Sequence, residues 1–280
     1  MKILFAIILI FILFIVLICI FKSDYITPFG KKYDLTRDGC CIIRNVLSSE
    51  EIDNLKQECK NGNYKNVKKY LIQKKDLNSI ILNKIGNSGY EFQDYIFIIQ
   101  KSSIHTCHRD NNGDFFNENQ KHPSYTAIFY LEDMEKCLGV IPTSHKTRNS
   151  FNFNFSDKVE NMLCKKGDMI LFNANIIHVG TINEKPDNLR IQMKITHKDD
   201  LDALGYYQNY NKVLNQDNML PESMIRLQKN ISCMVPYISN VTQKEVANSS
   251  RDKEGSGYFQ KIFSYFFYGN ISFYDLPNAF

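Results

Sequence analysis

The sequence has little net charge, and it lacks the cysteine spacing of a zinc-binding module. Its 34 Lys and Arg against 30 Asp and Glu leave an excess of only +4, which argues against a dedicated nucleic-acid-binding protein. None of its eight cysteines forms a C-x₂-C pair, so no zinc knuckle is predicted. Hydrophobic residues make up 44% of the chain, a share typical of globular proteins and too high for a disordered chain.

The hydrophobic residues are concentrated at the N-terminus. Residues 3–21 carry no charge, and as a helix they would span about 28 Å, close to the thickness of a bilayer's hydrocarbon core. A cleaved signal peptide is shorter and ends in small residues, whereas Ile20, Phe21 and Lys22 offer no such site. We therefore expect a single-pass membrane protein anchored through residues 1–22. A small lysine excess after the span slightly favours a cytoplasmic location for the rest of the chain.

The rest of the chain predicts a tether, a β-rich domain and a C-terminal extension. Residues 23–36 are a polar linker, and Ser48 with Glu51 forms the capping box of an amphipathic helix. Short β-branched or aromatic runs lie at residues 95–100, 125–131, 169–173 and 189–196. Turn residues separate them, which favours a sandwich or barrel over a doubly wound α/β sheet. The domain is expected over residues 37–200, with a helical and aromatic extension over 201–280 packed on it.

One short motif suggests a metal site. In an extended chain His108 and Asp110 share a face while Arg109 points away. An imidazole and a carboxylate on one face can hold adjacent positions on a divalent metal, and a further histidine would complete a facial triad suited to non-haem Fe(II). H-x-D also occurs by chance at protein surfaces, so the metal-site interpretation depends on the residues downstream.

The downstream residues supply a second histidine and a cation. His178 comes after a buried-strand signature at residues 169–172, and Arg190 begins another β-rich run. A guanidinium there is costly to bury without a partner and can bind a carboxylate through two hydrogen bonds. The other four histidines have plainer interpretations. His105 is a neighbour with no ligand role, His122 a loop residue, His145 a turn residue with structural hydrogen bonds, and His197 a residue of opposite strand parity to Arg190.

Four segments in this order resemble the Fe(II)/2-oxoglutarate-dependent oxygenases, and most closely the phytanoyl-CoA dioxygenase-like branch. They are Asp38–Gly39 with residues 43–52, then His108–Asp110, then residues 131–133 with Gly139–Lys146, and finally Gly167–Asp168 with His178, Gly180, Asn183 and Arg190. Together they cover about residues 38–197. The resemblance implies a mainly β fold with flanking α-helices, a double-stranded β-helix (jelly roll) preceded here by the single transmembrane helix.

The resemblance also implies the site residues. His108, Asp110 and His178 would bind Fe(II), Arg190 would bind the distal carboxylate of 2-oxoglutarate, and Thr126 is a candidate second cosubstrate contact. This sequence departs from the family pattern in having Thr143 where a glycine usually precedes the Ser-His pair. It also has Arg109 where the branch often has Gln.

The expected function is a membrane-anchored dioxygenase that hydroxylates an unidentified organic substrate and releases succinate and CO₂. Its partners would be O₂, a small-molecule or lipid substrate and a membrane, with ascorbate as a candidate reductant and no nucleic acid. Substrate loops are expected at residues 111–123, 149–161 and in the last 80 residues. Two alternatives remain: an inactive relative kept as a structural or binding membrane protein, and a cupin-type isomerase or sugar-binding jelly roll. The second alternative requires neither Arg190 nor the segment Gly139–Lys146.

Overall fold

The computed structural model describes residues 2–21, 24–148, 158–185, 187–240 and 257–280. The described helices are α1 (Lys2–Phe21), α2 (Leu35–Asp38), α3 (Ser49–Lys60), α4 (Tyr64–Gln73), α5 (Lys75–Ile85), α6 (Glu222–Met234), α7 (Tyr237–Asn240) and α8 (Tyr258–Tyr268). The described strands are β1 (Asp24–Ile26), β2 (Cys40–Ile43), β3 (Tyr90–Phe92), β4 (Tyr95–Lys101), β5 (Tyr125–Tyr130), β6 (Leu138–Ile141), β7 (Val159–Met162), β8 (Met169–Asn173), β9 (Ile177–Gly180), β10 (Asp187–His197) and β11 (Tyr210–Leu214).

The strands form two mixed sheets. The large sheet has the order β11-β4-β10-β5-β8-β2, with β3 also paired to β10, and the small sheet has the order β1-β7-β6-β9. Two pairs are parallel, β11 with β4 and β1 with β7, and the other pairs are antiparallel. Two sheets with helices on the outside fit the jelly roll that the resemblance implies.

The long strand β10 shows how the sequence separates the core from the site. Ile191, Met193 and Ile195 face the helices and pack with apolar residues of α3, α4 and α5. Side chains alternate across a strand, so the intervening residues face the other way, toward the small sheet. Those residues include the buried cations Arg190 and Lys194. The apolar face of β10 therefore fixes its register, and the same register directs both cations to the space between the sheets.

Local predictions along the chain agree with the structure. The Ser48 hydroxyl accepts a hydrogen bond from the Glu51 N–H, and the Glu51 carboxylate accepts one from the Ser48 N–H, so the capping box is formed. The four predicted strands form as β4, β5, β8 and β10. The polar region after α3 contains two helices, α4 and α5, because Lys74 between them takes an extended backbone conformation.

The predicted transmembrane anchor over residues 1–22 is wrong. Among the helices described here, none is both long enough and apolar enough to cross a membrane. The N-terminal helix α1 contacts α6 of the C-terminal region instead. Three predictions that depended on the anchor are therefore not supported either. They are the transmembrane helix in the fold class, the single-pass membrane localisation and the membrane as a partner.

The C-terminal region packs on the outer end of the large sheet. Phe263 and Tyr268 of α8 form a buried apolar cluster with Tyr95 and Phe97 of β4, joined by Phe273. Two expectations fall on residues outside the described ranges: most of the substrate loop at 149–161, and the helical and aromatic extension between residues 241 and 256.

Candidate metal centre

Backbone pairing brings the two predicted histidine ligands together. The N–H of His108 donates to the carbonyl of His178 at 2.9 Å, and the N–H of His178 donates back to the carbonyl of His108 at 2.9 Å. Asp110 is held by a further backbone hydrogen bond, which its N–H donates to the carbonyl of Ala174 at 2.8 Å. His108 and Asp110 are two positions apart along an extended segment, so both side chains point to the same space.

The side chains converge on one point between the sheets. The Nε2 atoms of His108 and His178 lie 3.8 Å and 3.6 Å from Asp110 Oδ1, and one ligand atom from each residue lies within 4.8 Å of the others. The two imidazole rings are 4.3 Å apart between centroids. A divalent ion bonded at about 2.0–2.2 Å to each of these atoms fits this spacing. The structure thus brings together the predicted residues His108, Asp110 and His178.

Both histidines are held in the tautomer that a metal requires. Nδ1 of His108 lies 2.8 Å from the Thr106 carbonyl, and Nδ1 of His178 lies 3.0 Å from the Ile176 carbonyl. A carbonyl only accepts hydrogen bonds, so each Nδ1 carries the proton and each Nε2 keeps its lone pair. Those lone pairs are the ones directed at Asp110.

The two oxygens of Asp110 have different partners. While Oδ1 faces the histidines, Oδ2 accepts hydrogen bonds from the Thr126 hydroxyl at 2.5 Å and from the Lys194 ammonium at 2.5 Å. Lys194 also donates to Thr126 Oγ1 at 3.0 Å. Thr126 and Lys194 face each other across β5 and β10, so the large sheet holds one carboxylate oxygen and leaves the other for the site.

Burial and charge set the protonation of this cluster. Burial lowers the pKa of His178 to about 3, with the neighbouring His108 adding to the shift, and burial also lowers the pKa of His108. Burial raises the pKa of Asp110, but the charge of Lys194 opposes it and, with the two histidines, brings the net pKa well below the ordinary value. At neutral pH the site therefore offers two neutral imidazoles and one carboxylate, a donor set suited to a divalent transition metal.

Arg190 lies farther along the same face of β10, directly opposite Tyr130 of β5. Its guanidinium is buried and donates to the Asn188 side-chain oxygen. Within the described part of the chain, the buried Tyr130 hydroxyl has no hydrogen-bond partner. A buried guanidinium beside an unsatisfied hydroxyl is a place where a carboxylate would satisfy both groups. Thr126 lies four positions along β5 from Tyr130, where it contacts Asp110 and not the surroundings of Arg190.

Arg109 points away from the metal cluster, as its position between His108 and Asp110 predicts. Its guanidinium donates to the Ser144 carbonyl at 2.8 Å and to the Asn175 carbonyl. These hydrogen bonds connect the segment from His108 to Asp110 with the turn that contains Ser144 and with Asn175, two residues before β9. Arg109, which stands where the resembled family often has Gln, thus has a structural role on the side of this segment that faces away from the metal cluster.

A covalent link lies beside the candidate ligand His108, and the spacing of the cysteines in the sequence does not indicate it. Cys107 forms a disulfide with Cys233 of α6, 126 residues away, and both cysteines are buried. The Cys107 N–H also donates to the Ser232 hydroxyl at 2.9 Å. The C-terminal helix is therefore attached directly to the residue that precedes His108.

Comparison with known proteins agrees with this geometry. Residues 64–187, somewhat under half of the chain, match the phytanoyl-CoA dioxygenase (PhyH) family model. This range contains His108, Asp110 and His178, and it ends just before Arg190. No curated protein matches the chain.

Several solved structures are similar to this chain at low sequence identity. HygX from Streptomyces hygroscopicus, solved with nickel and 2-oxoglutarate bound, is 16% identical with a TM-score of 0.47, covering 59% of this chain and 84% of HygX. AviO1 from Streptomyces viridochromogenes Tue57 is 14% identical with a TM-score of 0.49, covering 59% and 92%. EvdO2 from Micromonospora carbonacea var. aurantiaca is 12% identical with a TM-score of 0.46, covering 61% and 91%.

The family match and the cluster of two imidazoles and one carboxylate agree on the chemistry. The matched family is a dioxygenase family, and the three side chains could hold a metal ion. Residues 64–187 are thus similar to the phytanoyl-CoA dioxygenase family, and the cluster of candidate ligands lies inside the matched range.

Proposed function

We propose that this protein hydroxylates a small organic substrate at an Fe(II) ion held by His108, Asp110 and His178, and that it converts 2-oxoglutarate and O₂ to succinate and CO₂. The observation that carries the proposal is the arrangement of donor atoms. Two imidazole Nε2 lone pairs and one carboxylate oxygen converge, while the second carboxylate oxygen is engaged elsewhere. An ion held by these three side chains would keep room for the cosubstrate and O₂.

When bound, iron and 2-oxoglutarate would supply the oxidising chemistry, and the protein's residues would position them. His108 and His178 keep their Nε2 lone pairs directed at the metal position because backbone carbonyls hold their Nδ1 protons. A lipid substrate was expected only because of the membrane anchor, so it is not part of the proposal.

Lys194 and Thr126 are proposed to position Asp110. Their two hydrogen bonds to Oδ2 restrict the carboxylate to one oxygen toward the metal, which leaves a coordination position free that a bidentate carboxylate would fill. The contact of Thr126 with the cosubstrate stays a prediction beside this role. The ammonium also offsets the carboxylate's charge while the metal is absent, because a buried unpaired charge is costly.

The positioning role of Lys194 is testable by stability. In Lys194→Met the metal-free protein should lose about 3–5 kcal/mol of unfolding free energy, since Asp110 keeps its buried charge without a partner. Added Mn(II) should stabilise this variant more than it stabilises the wild type, because the ion supplies the missing positive charge. Denaturant unfolding with and without Mn(II) measures both effects. Equal stabilisation of the two proteins by Mn(II) would contradict the role.

We propose that Arg190 and Tyr130 bind the distal carboxylate of 2-oxoglutarate. Arg190 supplies charge and paired N–H donors, and the unsatisfied Tyr130 hydroxyl supplies a further donor. Both lie on the face of the large sheet that also carries Lys194 and Thr126. On this face Lys194 and Thr126 contact Asp110, and the proposed carboxylate site lies four residues away along each strand.

Cosubstrate binding to the Mn(II)-loaded protein tests this assignment without turnover. Calorimetric titration with 2-oxoglutarate should show a loss of affinity of about 10- to 100-fold in Arg190→Met and about 5-fold in Tyr130→Phe, from the lost charged and neutral hydrogen bonds. Arg226→Met is the matched control, because Arg226 is an exposed side chain paired with Glu222 on α6. Unchanged affinity in Arg190→Met would rule out the assignment.

A further inference from the structure

A second cluster of metal-ligating side chains lies away from the oxygenase site. It consists of His122, in the loop that begins after Asp110, with His197 at the end of β10 and Asp199 in the following turn. Neither histidine was predicted as a ligand from the sequence. From this convergence we propose a structural metal site for Zn²⁺ or a similar divalent transition ion, formed by His122 Nε2, His197 Nδ1 and Asp199 Oδ2. This site is independent of the proposed oxygenase function.

The spacing of the three atoms is the first argument. Asp199 Oδ2 lies 3.7 Å from His122 Nε2 and 3.7 Å from His197 Nδ1, which is too long for a hydrogen bond. Ligand atoms about 2.1 Å from a tetrahedral ion lie about 3.4 Å apart, so small side-chain movements suffice. The same gap of 3.6–3.8 Å separates the histidine nitrogens from Asp110 in the oxygenase site. The two imidazoles lie 3.8 Å apart between centroids with their planes tilted by 32°, and one ligand atom of each of the three residues lies within 4.8 Å of the others.

The orientation of His197 is the second argument. Its Nε2 lies against Gly89, where any Cβ would clash with the imidazole, so only a glycine leaves room for the ring. Nδ1 accepts a long hydrogen bond of 3.3 Å from the Asp199 N–H, which means that Nδ1 carries the lone pair of the ring. A bound ion would take the place of this hydrogen bond. Tyr90 packs edge-on against the ring with centroids 5.1 Å apart. The ring is thus fixed with its unprotonated nitrogen within 4.8 Å of a ligand atom of His122 and of Asp199.

The backbone around His122 is also held in place, which is the third argument. The buried Asp200 carboxylate accepts hydrogen bonds from the N–H groups of Lys121 at 2.7 Å and His122 at 2.8 Å. The Tyr90 hydroxyl donates to the Pro123 carbonyl at 2.8 Å. Two imidazoles and one carboxylate, with a fourth position open to solvent, suit Zn²⁺. Since the loop from residue 111 begins at Asp110, a metal at its far end would clamp both ends of that loop to the barrel.

Zinc stoichiometry on the full-length chain tests the site. Equilibrium dialysis against buffered free Zn²⁺ should give two bound ions in the wild type and one in His108→Ala/His178→Ala. Adding His122→Ala to that double variant should remove the second ion. Asp199→Asn, which changes an exposed side chain with little effect on folding, should weaken the remaining ion at least about tenfold. His145→Ala is the matched control, because His145 lies outside both clusters and bonds to the Thr36 carbonyl.

A proteolysis measurement gives a second readout. Zn²⁺ should slow cleavage within residues 111–123 of the His108→Ala/His178→Ala variant, and it should have no such effect once His122→Ala is added. Far-UV circular dichroism confirms that each variant is folded. The site is overturned if the double variant binds no zinc, or if its zinc is indifferent to both His122→Ala and Asp199→Asn.

Discussion

At the scale of single residues, the site depends on which atom of each side chain is already engaged. Backbone carbonyls hold Nδ1 of His108 and His178, and Lys194 with Thr126 holds one oxygen of Asp110. One donor atom of each ligand remains free, and all three are directed at the same point. This selection of atoms results from the sheet geometry, so replacing a supporting residue should alter the site without removing a ligand.

One departure from the family pattern has a measurable cost. Thr143 has φ of 66°, in the left-handed region that β-branched residues rarely adopt. Its N–H donates to the Asp38 carbonyl at 3.0 Å, which keeps the turn in this conformation. A glycine, usual here in the family, would take the conformation without strain.

We therefore expect Thr143→Gly to raise the free energy of unfolding by about 1 kcal/mol, with the relief of strain exceeding the added chain entropy. Thr143→Ala is the control, because it removes the branched side chain but keeps Cβ, and it should recover only part of the gain. Urea unfolding of the three proteins measures the order. A Thr143→Gly variant less stable than wild type would show that the threonine side chain makes a contact that outweighs the strain.

The clustering of the candidate ligands could be predicted from sequence, and their support could not. His108 and Asp110 are two residues apart, and strand parity alone places them on one face. Lys194 shares strand parity with Arg190, so its face was predictable, but its contact with Asp110 depends on the pairing of β10 with β5, which a single sequence does not reveal. Likewise, only the register of β5 against β10 shows that Tyr130 lies opposite Arg190 and that Thr126 lies opposite Lys194.

At the scale of elements, α6 is attached to the segment that carries the candidate ligand His108. The Cys107–Cys233 disulfide and the bond from the Cys107 N–H to Ser232 join them. Pairing at such a separation depends on the tertiary fold, so it was not predictable from the positions of the cysteines. By contrast, the capping box of α3 joins two residues only three positions apart, so it could be predicted directly from the sequence.

Removing the disulfide should loosen this attachment. Cys233→Ser is expected to lower the free energy of unfolding by about 2–4 kcal/mol, because the unfolded chain regains the freedom that a long closed loop restricts. A reductant should lower the thermal midpoint of the wild type and leave that of the variant unchanged. Hydrogen exchange at the Cys107 amide should accelerate in the variant. A wild-type midpoint that is insensitive to reductant would contradict the link.

At the scale of the whole molecule, the two sheets have different tasks. The small sheet supplies His178 on β9 and the backbone edge that aligns His108. The large sheet supplies Thr126, Tyr130, Arg190 and Lys194 from β5 and β10. The mainly β architecture with flanking helices was predictable from short, punctuated strand patterns. The order of strands and the docking of the C-terminal region were not, since both depend on contacts between distant segments.

Buried histidines make the stability of the metal-free protein depend on pH. Burial lowers the pKa of His105 to about 4, and His105 lies outside the metal cluster with Nε2 bonded to the Gln228 side chain. The unfolded chain, with a histidine pKa near 6.5, binds more protons below that pH, so stability falls as pH drops from about 6.5 toward 4.

His105 alone should contribute on the order of 3 kcal/mol to this loss. His105→Gln should therefore show a flatter dependence of unfolding free energy on pH between 6.5 and 4, whatever its stability at neutral pH. Because His178 is present in both proteins, the difference between the two slopes isolates His105. Parallel curves for the variant and the wild type would mean that His105 is not buried in its neutral form.

Succinate formation decides whether His108, Asp110, His178 and Arg190 form a working 2-oxoglutarate oxygenase site. The full-length protein is supplied with Fe(II), 2-oxoglutarate and air, without any organic substrate. Slow uncoupled turnover should then produce succinate in the wild type and in Arg226→Met, and succinate should disappear in His108→Ala and in Arg190→Ala. Succinate formation that persists in both of these variants, or an iron-loaded wild type that binds 2-oxoglutarate and forms none, would contradict a working site.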